Sequence, residues 1–292
     1  MHNTGSAAQA ELAYQAERAA KIDEVDPTPD YIIERYRRCR LWRLFRKEFV
    51  FRRLGNIAGK EVLDFGCGEG QISTQLARLG AKVTAIDISP ELIEIAERRA
   101  KLDGVSEQIE FVIGDITQSP LPKEKFDVAV CLAALHHVDL RSVAPHVLAC
   151  VKPGGVVMMM EPTAFSPLLK KLREILPLEK DASPDERQLN RDDVNFLSQL
   201  VVNVELTFFD LFGRLARLFS NANRIDRGHP FTKATLVMLG GLDRLLLTIC
   251  PALERLGGYV VIVGRKPIAE TEGGRCLVRA RALEGFPRAP QP

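Results

Sequence analysis

The sequence predicts an α/β fold built on a doubly wound, mostly parallel sheet. Short apolar runs alternate with segments of helical spacing from about residue 60 to residue 162. Strands that are apolar on both sides are buried on both faces, and strands that alternate with helices form parallel sheets with right-handed crossovers. The first strand, Val62–Phe65, is followed by glycines at 66, 68 and 70 and then by a helical pattern. Strand, glycine turn and helix are typical of a nucleotide-binding crevice.

The predicted elements follow one another without internal repeats. The predicted strands are Val62–Phe65, Lys82–Ile86, Ile109–Ile113, Phe126–Leu132, Val156–Met160, Val202–Phe209 and Gly258–Val263. The predicted core helices are Gln71–Leu79, Pro90–Leu102 and Leu140–Val151. Ser89 is the expected N-cap of the second helix, because serine before a proline at the first helical position favours a helix start. Residues 152–155 are expected to form a turn, and the stretches 211–218 and 236–256 are strongly apolar.

Composition and charge argue against several function classes. The 292 residues are 46% hydrophobic and 27% charged, with a formal net charge of +2, which is ordinary for a globular protein. A near-neutral chain without an Asn/Asp-Pro-Pro-Tyr motif is not expected to act on nucleic acid. The six cysteines are scattered without zinc-ligand spacing, so reduced thiols and no metal site are expected. Residues 1–20 lack an apolar signal core and no apolar run reaches membrane-spanning length, which predicts a cytoplasmic protein without a transmembrane segment.

A basic segment precedes the core. Residues 31–54 carry apolar side chains at helical spacing together with nine Arg or Lys residues, and they predict one basic amphipathic helix. Such a helix can pack beside the sheet with solvated arginines, or it can lie over a bound ligand. It can also contact an anionic membrane surface or an acidic substrate. Charge runs usually mark a solvated face, so packing beside the sheet is the expectation.

Five segments of the core occur in the order of a known family. These segments are Val62–Gly70, Thr84–Ser89, Gly114–Ile116, Phe126–Val130 and Val151–Gly155. Through them the core resembles the class I S-adenosylmethionine-dependent methyltransferases, and the resemblance covers about residues 60–162. Beyond that range only the layout is similar. The resemblance implies a seven-stranded sheet of the Rossmann-like methyltransferase fold, with the last strand antiparallel.

The resemblance also implies the cofactor, S-adenosylmethionine, whose product is S-adenosylhomocysteine. The glycine turn would let backbone amides approach the methionine part of the cofactor, and Asp64 would balance its ammonium or sulfonium end. Asp87 would accept the ribose hydroxyls, as acids do in dinucleotide folds. Asp115 would accept the adenine amino group between the apolar side chains of Ile88 and Ile116. The predicted cofactor-binding set is Asp64, Phe65, Gly66, Cys67, Gly68, Gly70, Asp87, Ile88, Gly114, Asp115, Ile116 and Leu132.

A nicotinamide-binding domain is the main alternative for the glycine turn. That domain needs Gly-x-Gly-x-x-Gly, whereas here the third glycine is Gly70 and Gln71 follows it. The chain also lacks a second nucleotide-binding half. A non-catalytic cofactor-binding or scaffold protein is a further alternative, and the presence of both Asp87 and Asp115 disfavours it.

His136, His137 and Glu161 are the candidate catalytic residues. They follow the fourth and fifth strands at the carboxyl edge of the sheet, where ligands bind. A histidine can take a proton from a hydroxyl group, and a carboxylate can orient it. Some sugar O-methyltransferases resemble this arrangement, which implies His136 as the base and Glu161 as its partner. Paired histidines in this family also line pockets without acting as bases, so both roles stay open.

The leading hypothesis is therefore O-methylation of a small, apolar or glycosylated metabolite. C- or N-methylation by positioning alone is the alternative. The expected organisation is a mobile N-terminal arm over residues 1–30, a methyltransferase domain over 31–266 and a disordered tail over 267–292. Within the domain we expect the basic helix over 31–56, the cofactor-binding core over 60–162 and an acceptor or lid segment over 163–256. The sequence does not indicate an oligomeric state.

Overall fold

The computed structural model describes residues 4–22, 24–118, 121–163, 165, 188–211 and 230–268. The strands are β1 Glu61–Phe65, β2 Lys82–Asp87, β3 Ile109–Ile113, β4 Phe126–Leu132, β5 Val151–Pro162, β6 Val202–Phe209 and β7 Tyr259–Arg265. The α-helices are α1 Thr4–Ala20, α2 Asp30–Arg38, α3 Arg46–Leu54, α4 Gln71–Arg78, α5 Pro90–Leu102, α6 Leu140–Cys150, α7 Arg191–Gln199 and α8 Pro230–Ile249. Short 3₁₀ helices cover Ser106–Gln108, Leu135–His137 and Pro251–Leu256.

The strand order of the sheet is β3-β2-β1-β4-β5-β7-β6. Strands β3, β2, β1, β4 and β5 run parallel to one another, while β7 is antiparallel to both β5 and β6. The predicted doubly wound, seven-stranded sheet with an antiparallel last strand is confirmed. The strand order reverses between β1 and β4, and ligands in open α/β sheets bind beyond the carboxyl ends of the strands at such a reversal. The glycine turn after β1 lies at this point.

Two hydrophobic clusters cover the two faces of the sheet. Alternate residues of a strand point to opposite faces, so Val62 belongs to one cluster and Leu63 to the other. The first cluster includes side chains from α2 to α5, and the second includes side chains from α6 and α7. This burial on both faces is the physical reason that the central strands are mostly apolar. Each fully buried side chain, such as that of Phe126, contributes about 1.5–3 kcal/mol to the stability of the sheet.

The predicted single helix over residues 31–54 is wrong. The chain forms two nine-residue helices, α2 and α3, and it breaks at Cys39, whose φ of 45° lies in the left-handed region. The buried carboxylate of Glu48 holds the break by accepting bonds from Arg35 Nε at 2.5 Å and from the Leu41 N–H at 2.8 Å. The chain reverses there, so the rings of α2 and α3 stack on each other, with the Tyr36 and Phe51 centroids 4.1 Å apart. The predicted contact of this segment with a membrane surface stays a prediction.

Two other boundaries differ from the expectations. The predicted turn at 152–155 is wrong, because β5 begins at Val151, which pairs with Phe126 before a register shift in the β4–β5 ladder. The stretch 236–256 divides between α8 and the 3₁₀ helix at 251–256. The predicted apolar stretch 211–218 lies outside the described residues from 212 onward. Of the acceptor or lid segment predicted over 163–256, residues 164, 166–187 and 212–229 lie outside the described residues.

The N-terminal segment is helical and contacts the core. Helix α1 accounts for most of the arm expected over residues 1–30, and Ala19 packs against Leu92 and Ile95 of α5. The mobility of the arm stays a prediction, and the predicted disordered tail lies outside the described residues from 269 onward. Within the part of the chain that the structure describes, none of the helices combines the length and apolar content needed to cross a bilayer.

Candidate active site

The glycine turn joins β1 to α4 with three residues at positive φ. Gly66, Gly68 and Gly70 have φ of 69°, 52° and 74°. A Cβ at Gly66 would lie 2.4 Å from the Cβ of Ala134, and a Cβ at Gly70 would lie 2.6 Å from the Cβ of Ala96. A Cβ at Gly68 would have nothing within 4 Å. The outer two glycines are therefore required by packing, whereas Gly68 faces the open side of the turn, where a ligand can approach the backbone.

Asp64 and Cys67 are buried beside the glycine turn. Asp64 is 2% exposed, and its Oδ2 accepts a bond from Ser73 Oγ at 2.6 Å. Burial raises the pKa of Asp64 to about 7, and the Ser73 hydroxyl partly offsets that increase. Burial also raises the pKa of the Cys67 thiol well above its usual range, so this cysteine stays protonated and unreactive. Asp64 can therefore change its charge near neutral pH.

Asp87 links the end of β2 to the glycine turn. Its Oδ2 accepts the Gly68 N–H at 2.8 Å, and its Oδ1 accepts the Ser89 N–H at 3.0 Å. Burial raises the pKa of Asp87, and these backbone N–H groups act in the opposite direction. Ser89 is also the N-cap of α5, as predicted, because its side chain accepts the Leu92 N–H. The carboxylate thus lies between two backbone segments at the strand ends.

The ends of β3 and β4 complete this edge. The Gly114 N–H donates to the Asp87 carbonyl at 2.9 Å, which brings the turn after β3 next to the end of β2. Asp115 accepts both the N–H and the hydroxyl of Thr117 at 2.8 Å, so its carboxylate closes its own turn. Ile116 is buried in the core, while Ile88 and Leu132 are half-buried. The structure therefore gathers the predicted cofactor residues at the ends of four neighbouring strands, and Phe65 and Ile116 also belong to the second hydrophobic cluster.

His136 and Glu161 form a buried pair at the ends of β4 and β5. The distance between His136 Nδ1 and Glu161 Oε2 is 2.7 Å, and the Glu161 side chain is fully buried. Glu161 Oε1 accepts the backbone N–H groups of Ala134 and Leu135 at 3.1 and 3.0 Å. Because a carboxylate only accepts, a neutral His136 ring paired with it carries its hydrogen on Nδ1 and its lone pair on Nε2. The His137 ring lies 4.0 Å from the His136 ring, centroid to centroid.

Three positioning contacts were not predicted from the sequence. Ser73 holds Asp64, the 3₁₀ turn donates two N–H groups to Glu161, and Arg99 donates to Glu69 inside the glycine turn. The first two depend on how α4 and the 3₁₀ turn dock on the sheet. Arg99 could have been found from the sequence, because a charged residue lies there on the same face of α5 as the apolar Ile95 and Ala96.

Comparison with known proteins identifies a related domain. Residues 62–155 match the model of a family described as "Methyltransferase domain". The chain is 42% identical over 112 residues to the mitochondrial ubiquinone biosynthesis O-methyltransferase of Schizosaccharomyces pombe, a match that covers 38% of this chain and 40% of that protein. It is 38% identical over 116 residues to the ubiquinone biosynthesis O-methyltransferase of Actinobacillus pleuropneumoniae, covering 38% of this chain and 50% of the relative. The matched part of the chain thus spans about half or less of the length of these curated relatives.

Solved structures share the fold at low sequence identity. The geranyl diphosphate C-methyltransferase of Streptomyces coelicolor, solved with S-adenosyl-L-homocysteine, is similar with a TM-score of 0.52 and 16% identity over 76% of this chain and 78% of that chain. A phosphoethanolamine N-methyltransferase of Haemonchus contortus, solved with S-adenosyl-L-methionine, has a TM-score of 0.52 and 15% identity over 76% of this chain and 52% of that chain. At this identity the likeness shows the fold.

Proposed function

We propose that the chain transfers a methyl group from S-adenosylmethionine to a hydroxyl group of a small molecule, and the premise is that residues 62–155 match a methyltransferase domain. The observation that carries the proposal is the buried His136–Glu161 pair at 2.7 Å, on the same sheet edge as the glycine turn. A base held in one tautomer beside a donor site suits a hydroxyl acceptor. The printed names of the curated relatives, which are O-methyltransferases, support the same chemistry.

The residues after β1 and β2 fit the cofactor. Gly68 presents backbone with no side chain on the open side of the turn, and Asp87 is half-buried beside it. A carboxylate has about four lone-pair positions, so Asp87 can hold Gly68 and Ser89 and still accept ribose hydroxyls. Asp64 would balance the positive end of the cofactor, and Asp115 would accept the adenine amino group. These assignments are part of the proposal.

When bound, S-adenosylmethionine supplies an electrophilic methyl group attached to a sulfonium. His136 then accepts the acceptor's hydroxyl proton at Nε2, and Glu161 holds the Nδ1–H tautomer that makes this transfer possible. The two backbone N–H groups on Glu161 Oε1 fix the carboxylate, which orients the imidazole through its contact with Nδ1. Holding the reacting groups in line supplies a further part of the rate enhancement.

The finer parts of the proposal concern the acceptor and the location. An apolar or glycosylated metabolite remains the proposed acceptor, with residues 163–256 as the proposed lid. A cytoplasmic location is also proposed, and the described cysteines Cys39, Cys67, Cys131, Cys150 and Cys250, which form no disulfides with one another, suit a reducing compartment.

Calorimetry and a methylation screen test the proposed function. We expect S-adenosylhomocysteine to bind the full chain, and labelled S-adenosylmethionine to mark a small molecule in a metabolite extract. His136→Ala should lower turnover about 100-fold or more with little change in cofactor affinity, because a general base contributes about 10²–10⁴-fold. His146→Ala is the matched control, since His146 is exposed on α6. Absence of cofactor binding would refute the proposal, and unchanged turnover in His136→Ala would favour a C- or N-acceptor.

A further inference from the structure

One buried arginine connects the glycine turn to the N-terminal segment. Arg99 of α5 is 8% exposed. Its Nε donates to the Glu69 carbonyl at 3.0 Å, and its Nη2 donates to the Glu69 carboxylate at 3.0 Å. Its Nη1 donates to the Asp26 carbonyl at 3.2 Å. Because Glu69 lies between Gly68 and Gly70, a single guanidinium holds the backbone of the glycine turn and the backbone of the segment before α2.

A second anchor lies at the far end of α5. The carboxylate of Asp103 accepts the Thr28 N–H at 3.0 Å and the Thr28 hydroxyl at 3.1 Å. Arg78 Nη1 lies 3.1 Å from the same carboxylate and also donates to the Thr28 carbonyl. The Asp103 side chain is fully buried, so breaking these bonds would leave its carboxylate without partners at a cost in free energy. Residues 26–28 are therefore held at both ends of their path across α5.

Helix α1 adds a third contact. Ala19 packs on Leu92 and Ile95, and Arg18 Nη2 lies 3.8 Å from Glu69 Oε1. Glu69 thus receives Arg18 on one carboxylate oxygen and Arg99 on the other. Burial raises the pKa of Asp87, and Arg18 is among the groups that lower it. The positive charge of Arg18 thus favours the ionised form of Asp87, the carboxylate that would hold the ribose.

We propose that residues 14–22 and 24–30 form a strap that completes the cofactor site, and that Arg99 is the positioning residue that couples docking of the strap to the conformation of the glycine turn. The inference rests on the proposed function, because it concerns the same cofactor. On this proposal the docked strap tightens cofactor binding, and linkage then requires that cofactor binding stabilises the docked strap by the same factor. The expected N-terminal arm is, on this proposal, a working part of the site.

The test compares Arg99→Ala with Arg98→Ala in the full chain. Arg98 is the matched control, because it is the exposed neighbour on the same helix. Two quantities are measured: the dissociation constant of S-adenosylhomocysteine, and the rate of trypsin cleavage after Lys21, followed by mass spectrometry. Arg99→Ala should weaken binding about 10-fold or more, within the usual range of coupling energies. It should also accelerate cleavage after Lys21, and S-adenosylhomocysteine should slow that cleavage in the native chain and in Arg98→Ala only.

Asp103→Asn keeps the proposal testable if Arg99→Ala fails to fold. Asp103 contacts Thr28 of the strap and Arg78 of α4, so a weaker affinity that comes with faster cleavage after Lys21 in this variant acts through the strap. Equal affinities in the native chain and all variants would overturn the strap, as would a loss of affinity in Arg99→Ala without faster cleavage. A native chain that binds no cofactor at all would instead refute the proposed function, and the inference with it.

Discussion

Replacing Glu161 by Gln changes the hydrogen-bonding pattern of the His136 pair with little change in shape. The amide oxygen can still accept the N–H groups of Ala134 and Leu135, which Glu161 Oε1 accepts at 3.1 and 3.0 Å. The amide NH₂ then faces His136 Nδ1, at the position where Oε2 lies 2.7 Å away. Because the NH₂ can only donate, Nδ1 must accept and the ring hydrogen moves to Nε2. The atom proposed as the base then has no lone pair for the acceptor's proton.

The structure gives different magnitudes for two replacements of Glu161. In Glu161→Gln a charged hydrogen bond of about 1.5–3 kcal/mol becomes a neutral one of about 0.5–1.5 kcal/mol, so the free energy of unfolding should fall by about 1–1.5 kcal/mol. Turnover should fall about 10²–10⁴-fold, the usual contribution of a general base. In Glu161→Ala the two buried N–H groups lose their acceptor at about 1–3 kcal/mol each, which predicts a loss of about 2–6 kcal/mol.

Nitrogen-15 NMR of the histidine rings measures the tautomer directly and needs no acceptor. His136→Ala assigns the resonances, and denaturant titrations give the free energies of unfolding. The native chain should show His136 with the hydrogen on Nδ1, and Glu161→Gln should show it on Nε2. Retention of the Nδ1–H form in Glu161→Gln, or turnover within about threefold of the native value, would refute the assignment of His136 as the base.

Two further predictions concern the glycine turn and Asp64. Gly70→Ala should destabilise the fold by about 1–3 kcal/mol, because the new Cβ would lie 2.6 Å from the Cβ of Ala96. Gly68→Ala should cost about 1 kcal/mol of stability while weakening cofactor binding more than Gly70→Ala does, as thermal melts and calorimetry can compare. Burial raises the pKa of Asp64 from its ordinary 3.8 to about 7, so between these values the folded chain binds more protons than the unfolded chain, and its stability falls as pH rises. Asp64→Asn should remove up to about 1.4 kcal/mol per pH unit from that decline in denaturant titrations between pH 4 and 7, and identical slopes would contradict the assignment.

The sheet could be predicted from the sequence because its determinants are local and repeated. Each central strand is buried on both faces, so it is mostly apolar. Ser89-Pro90 marks the start of α5, because Ser89 caps the helix. The single helix over 31–54 failed for a different reason. The buried carboxylate of Glu48 accepts the N–H of Leu41, seven residues earlier, and this bond holds the chain in the break after α2. Helical spacing of apolar residues carries no information about that bond.

The candidate site was predictable where strand ends determine it. His136 and Glu161 follow adjacent parallel strands, so the fold brings them to the same edge, and the family resemblance supplied the pairing. The side chains that orient the site were missed, because they come from helices whose docking the sequence does not specify. Ser73 reaches Asp64 only when α4 packs against β1, and Arg99 reaches Glu69 only when α5 lies against the glycine turn.

The position of β7 between β5 and β6 has a consequence for synthesis. During translation β6, residues 202–209, emerges before β7, residues 259–265, yet β6 pairs with β7 and not with β5. Until β7 is made, β5 exposes an unpaired edge along Val157–Met160, and β6 has no strand partner in the sheet. Unpaired apolar edges promote association between chains. A chain interrupted before residue 259 therefore leaves two such edges open, whereas one interrupted after Lys266 retains the complete sheet.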